Sequence, residues 1–159
     1  MTRVKPNVRL RQATEEDIGF IFNSWLKSYK YSLFAKTITN TVYYTEHHKL
    51  IERLLKSNNT IVACNDEDSS QIYGFINAGF IEGIFCLNYI YVKHTFRNLG
   101  IGKALLAAFE HDTQYASVYT HHTKTAERLA AKYNMVYHPY LLINNPEEAK
   151  EEDEQEKTK

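Results

Sequence analysis

Arg97-Asn98-Leu99-Gly100-Ile101-Gly102-Lys103 places two glycines and two cations within seven residues. The run before it, Phe85 to Val92, is dense in aromatic and β-branched residues and reads as a buried strand; the run after it, Gly102 to Glu110, is rich in helix formers. A glycine turn at a helix N-terminus offers unpaired N–H groups, the positive end of the helix dipole and room for close approach of a ligand, so the junction suits an anion such as a pyrophosphate. Arg97 and Lys103 add charged donors. Other glycine loops fit worse. A dinucleotide fingerprint needs a third glycine where Leu105 stands, and the phosphate loop of nucleotide triphosphatases needs Ser or Thr where Ala104 stands. A plain glycine-bearing link between a strand and a helix is the other reading of this turn.

Proton chemistry has one evident source, His121-His122, whose imidazoles have a reference pKa of about 6.5 and end a short strand. A solvent-facing pair is the alternative. Cys64 and Cys86 lie in separate strands without CxxC spacing and read as buried thiols, with Cys86 a poor nucleophile because an apolar strand raises its pKa. His47 and His48 are adjacent on a helix, hence about 100° apart, with no Cys or Asp arrangement near them, so no metal is expected. The stretch holding Trp25, Tyr29, Tyr31, Phe34, Tyr43 and Tyr44 could stack on a planar ligand, cage an amine, or form core.

A length of 159 residues is expected to make one domain with a proper core. The formal charge of zero hides a division: from Glu147 onward seven acidic residues face three basic ones, leaving 16 basic against 12 acidic before it. We therefore expect a domain over 1–145 and an acidic, disordered tail over 146–159. The basic excess suits an anionic ligand and does not by itself argue nucleic-acid binding. No run of about 18 apolar residues occurs and the chain opens polar and basic, so no membrane partner and a cytoplasmic location are expected. Strands are expected at 8–11, 60–64, 72–78, 85–92, 115–120 and 135–143. Helices are expected from about 18, over 42–56, from the glycine turn, and over 124–133. The antiparallel strands come first and a βαβ unit follows, an α/β arrangement with a mixed sheet.

The turn matches the Arg/Gln-x-x-Gly-x-Gly/Ala pattern of the GCN5-related N-acetyltransferase (GNAT) superfamily, and Leu10-Arg11-Gln12-Ala13 leading to Asp17 is similar to the family's opening strand and helix. With the element order, the resemblance covers about residues 7 to 143. It implies a GNAT-like mixed six- to seven-stranded sheet flanked by about four helices, and an acetyl group moved from acetyl-CoA directly to an amine. It further implies a pyrophosphate held at Arg97, Asn98, Leu99, Gly100, Ile101, Gly102 and Lys103, a pantetheine arm along Ile90, Tyr91 and Val92 where parallel strands splay, and a donor contact at Thr123. The acceptor would lie against the first two helices and their loop, at Trp25, Tyr29 and Tyr44. Residues 23–29 are also similar to small acetyltransferase-like proteins encoded by tailed phages.

The chain departs from the family in its last helix. Ala130 stands where a tyrosine acid is usual, Thr123 replaces an Asn, and Asn134-Met135 replaces Gly-Phe. Tyr133, one helical turn on, and His121 are the substitutes that the resemblance suggests for proton transfer. Tyr133 as a core aromatic is the other reading. Two rival functions keep the fold: modification of a nucleobase or nucleic acid, and a CoA-binding module without catalysis. A homodimer is compatible with the sequence.

Overall fold

The computed structural model describes residues 7–109 and 116–143, so the expected acidic tail lies outside the described residues. Six strands form one sheet in sequence order: β1 (Val8–Gln12), β2 (Asn59–Asn65), β3 (Ile72–Ile81), β4 (Ile84–Val92), β5 (Ser117–Tyr119) and β6 (Met135–Tyr137). Pairing is antiparallel from β1 through β4 and parallel from β4 through β6. Four helices, α1 (Ile18–Tyr29), α2 (Asn40–Ser57), α3 (Ile101–Ala107) and α4 (Lys124–Tyr133), cover both faces.

Alternation along the strands divides the core. Ile61, Ala63 and Ile76 face α3 and α4, while Val62, Cys64 and Phe75 face α1 and α2. Both faces are covered, which is why β2, β3 and β4 read as nearly continuous apolar runs. α1 is led in by a 3-10 turn, Glu15–Asp17, closed by a Thr14 to Asp17 capping pair: Asp17 accepts from the Thr14 N–H at 2.7 Å and from Arg11 at 2.6 and 2.9 Å. On α3 the buried side chains are Ile101, Leu105 and Leu106, and Ala108, just past its end, is exposed.

Two expected strands are shorter, β5 at Ser117–Tyr119 and the closing one. The closing strand ends at Tyr137, and Pro139–Leu142 turn into a 3-10 helix. Pro139 has no N–H for the ladder and a fixed φ, so β6 cannot extend through it.

The feature that opens a site is in β4. Ala78 pairs with Leu87 and Asn77 with Tyr89, so Asn88 is an extra residue bulging from the ladder. Beyond Leu87, β4 has no further partner in β5, whose Thr120 makes the last link, N–H to Leu87 O at 3.0 Å. The two parallel strands splay there and leave residues 88–92 without a β5 partner among the described residues, with the Val92 carbonyl accepting from Arg97 Nε at 2.9 Å.

Candidate active site

Two cavities flank the splay. The larger, about 740 Å³, is lined by β4 residues Tyr89 to Val92, the 97–103 turn, and the start of α4. Every donor-site residue expected from sequence lines it except Leu99. Gly100 caps α3 with φ of 83°, the left-handed conformation for which glycine is suited, and Asn98 also has a positive φ, 65°. Gly102 is different. Its φ is not positive, and a Cβ there would meet only Ile90 Cδ1 at 3.8 Å. What Gly102 supplies is space at the cleft wall.

Charge at this cleft has one sign. Arg97, Lys103, Lys124, Arg128 and Lys132 line it, and no lining residue is a carboxylate. The last three come from α4 and are not among the donor-site residues expected from sequence. Their spacing, four residues from Lys124 to Arg128 and four more to Lys132, was the available signal for a basic helix face. Thr123 lines the cleft and caps α4, its Oγ1 accepting the Ala126 N–H at 3.0 Å.

The second cavity, about 480 Å³, lies between α2, the loop after α1 and the 3-10 turn at Pro139. Its walls are largely aromatic and aliphatic, including Tyr29, Phe34, Tyr43, Tyr137 and Tyr140. Of the three acceptor residues expected, Tyr29 lines it and the other two do not. Trp25 is fully buried, its ring stacked on Tyr89 at 4.8 Å, and Tyr44 points outward, 41 % exposed. Tyr43 takes the wall position, its hydroxyl donating to the Leu26 carbonyl at 2.6 Å. The partition between the cavities includes Tyr89 and Ser28, whose hydroxyls lie 2.5 Å apart.

His121 sits between them and lines neither. It is 1 % exposed, with Nδ1 3.0 Å from Thr120 Oγ1 and Nε2 3.0 Å from His47 Nε2. Both ring nitrogens are engaged. Of the two, His47, from α2, is the one that reaches a cavity wall. Burial pushes His47 down to about 4, and burial together with the neighbouring His47 holds His121 well below the ordinary imidazole value, so both are neutral at pH 7. His48, by contrast, stacks on Phe22 at 4.4 Å. Among the described residues no three potential metal ligands gather.

Tyr133 packs against the core cluster beneath α4 and lines neither cavity, as does the half-buried Ala130. The departure at Asn134 has a local explanation. It ends α4 with φ of 55°, the left-handed position glycine ordinarily fills and asparagine tolerates, and Met135 then takes a core place. Cys86 is buried, its thiol pushed up to about 12 by desolvation, and lines neither cavity.

Residues 56–134 match the family model of the acetyltransferase (GNAT) domain. Among solved structures, the chain is 22 % identical to a Pyrococcus furiosus protein assigned as an acetyl transferase, covering 93 % of this chain and 91 % of that one, with a TM-score of 0.50. It is also 22 % identical to the PaiA N-acetyltransferase of Thermoplasma acidophilum in complex with coenzyme A, over 65 % and 70 % of the two chains, TM-score 0.49. A Brucella melitensis GNAT family acetyltransferase in complex with acetyl-CoA is 17 % identical over 65 % and 66 %, TM-score 0.47. At such identity the Pyrococcus likeness shows the fold, and the phage likeness of 23–29 finds no support in these matches. No curated protein matches the chain.

Proposed function

We propose, because residues 56–134 match the family model of the acetyltransferase (GNAT) domain, that the protein moves an acetyl group from acetyl-CoA directly to the nitrogen of an amine. The observation that carries this reading is the open β4 edge leading into a cleft with five cations and no carboxylate. An extended amide-bearing arm can pair with main chain at 88–92, and a polyphosphate can meet Arg97, Lys103 and the α4 cations. The donor supplies an activated thioester. The protein supplies position: Tyr89 and Ser28 line the first cavity, Tyr29 and Thr120 the second, and the His121 ring packs on both Tyr29 and Tyr89, an arrangement suited to donor and acceptor held in one ternary complex. Cys86 is out of reach and protonated, so attack by the amine itself is the consistent route.

No described helix is long and apolar enough to span a bilayer. A cytoplasmic setting, which the sequence suggests, fits the donor's chemistry.

Gly100→Glu tests the donor site. Nothing lies within 4 Å of a Cβ built there, so the side chain enters open space. The left-handed φ costs the variant about 1–2 kcal/mol of stability, and its carboxylate faces the place assigned to the pyrophosphate. Isothermal titration should show acetyl-CoA affinity lost by at least about tenfold, while Gly100→Asn, which tolerates this φ without adding charge, binds nearly as the parent does. Equal affinity in the glutamate variant would remove the pyrophosphate assignment. A thiol-release assay over an amine panel then separates a transferase from a CoA-binding module.

A further inference from the structure

We propose, resting on the acetyl-transfer reading, that His47 receives the acceptor's proton, that Asn77, Asn88, Thr120 and His121 fix which of its nitrogens is free, and that the acceptor is a weakly basic aromatic amine. The four positioning residues form a buried chain whose direction is set at one end. The Leu54 carbonyl can only accept, so the group that Asn77 presents to it, 3.2 Å away, is the amide nitrogen, which also donates to Thr60 Oγ1 at 3.0 Å. Asn77 Oδ1 therefore accepts from Asn88 Nδ2 at 2.9 Å, and Asn88 Oδ1 accepts the Thr120 hydroxyl proton at 2.9 Å. With that proton spent, Thr120 Oγ1 accepts from His121 Nδ1–H. His121 Nε2 is then a bare lone pair, and His47 Nε2, 3.0 Å away, carries the hydrogen between them. In neutral His47 this leaves Nδ1 unprotonated, with no hydrogen-bond partner among the described residues, on the one imidazole of the pair that lines the second cavity.

No carboxylate touches either ring. The ionisable groups facing the pair are Tyr29 from α1, Tyr43 and Glu46 from α2, Tyr89 from β4, and Tyr137 and Tyr140 across the cavity. Glu46 lies out in solvent beside Lys49 at 3.4 Å, and the nearby Lys30 ammonium is held by the Ala35 and Ile38 carbonyls. His47 is thus a weak base in an aromatic shell. It cannot take a proton from an alkylammonium, whose pKa is about 10.4, whereas an aromatic amine is already neutral and becomes strongly acidic once its nitrogen bonds to the acyl carbon. The rings of Tyr29, Phe34, Tyr43, Tyr137 and Tyr140 suit the same planar acceptor. As the C–N bond forms, the C–S bond breaks with its electron pair left on sulfur, and His47 Nδ1 takes the amine proton. Water carries that proton on to the thiolate and the imidazole returns to neutral.

Nitrogen-15 NMR of the parent protein without substrates tests the chain. Expected is Nε2–H on His47 and Nδ1–H on His121, with neither ring titrating between about pH 6 and 8; Nδ1–H on His47, or titration in that range, overturns the proposal. His47→Gln should lower kcat with 4-methoxyaniline by about 100-fold, with acetyl-CoA affinity by calorimetry and amine KM little changed. Thr120→Val should lose the His121 tautomer and about tenfold in kcat, and Thr120→Ser should restore both. Full turnover by His47→Gln, or a higher kcat/KM for phenethylamine than for 4-methoxyaniline at pH 7, sinks it. Failure of the underlying reading looks different: the parent does not bind acetyl-CoA although the NMR tautomers are as stated, which overturns the proposal by removing its premise.

Discussion

Gly74→Ala is expected to lower stability by about 2–3 kcal/mol and to weaken acetyl-CoA binding, although Gly74 lines neither cavity. A Cβ at this position would lie 2.3 Å from the Tyr91 carbonyl oxygen and 3.0 Å from Val92 Cα. Both are backbone atoms of β4, paired to Gly74 through the Gly74 to Val92 register, so no side chain can rotate away and the strand itself must shift. The segment that shifts is the end of the open edge assigned to the donor. A loss of about 5–10 °C in Tm is the stability readout, and calorimetric titration with acetyl-CoA gives the other. Gly102→Ala is the contrasting case. Its Cβ meets one side-chain carbon at an ordinary 3.8 Å and its backbone is helical. Stability should hold or rise slightly, while affinity falls because the methyl occupies the cleft wall. If Gly74→Ala unfolds like the parent, β4 is not locked against β3 as described.

These two glycines show what local pattern can and cannot carry. The order of strands and helices was legible because each apolar run has a period and each boundary a signal, such as Thr14 before α1 and Asn58 after α2. The turn at Gly100 was legible because its chemistry is contained in seven consecutive residues. Gly74 looked like any strand glycine, since what it avoids, the Tyr91 carbonyl, comes from another strand. The bulge at Asn88 is invisible for the same reason: one extra residue in a register exists only relative to β3.

The candidate site for proton transfer was half legible. His121 stood out as an imidazole at a strand end, but its burial and its contact with His47, 74 residues away in sequence, depend on how α2 lies over the sheet. Likewise the aromatic cluster was seen as a set, and packing then sorted it: Trp25 into the core, Tyr29 and Tyr43 to the cavity wall, Tyr44 to the surface. Helical spacing alone could not make that division, because Tyr43 and Tyr44 are neighbours in sequence and differ only in which side of α2 meets the protein. The basic face of α4 is readable in the four-residue spacing of Lys124, Arg128 and Lys132.

Acidification should expose the histidine pair as a loss of stability in a defined window. In the unfolded chain His47 takes up a proton near pH 6.5, and in the folded protein only near 4. Between those values the unfolded state binds more protons, so stability rises with pH: it is fully present above about 6.5 and is lost as pH falls toward 4. For His47 the loss is on the order of 3 kcal/mol, and His121, held low by the same burial, adds to it with the same sign. Asp17 acts lower. Its carboxylate is held below the ordinary value of 3.8, first by its hydrogen bond to Arg11, so its contribution is present above that value and lost only as pH drops beneath it. Tm measured by circular dichroism should therefore fall between about pH 6.5 and 4 and fall again below about 4. His47→Gln should flatten the upper decline and leave the lower one, and Asp17→Asn should do the reverse. A Tm that stays constant from pH 7 to about 4.5 in the parent would mean that the two imidazoles are not buried as a neutral pair, and with that the weak base at the cavity wall would be lost as well.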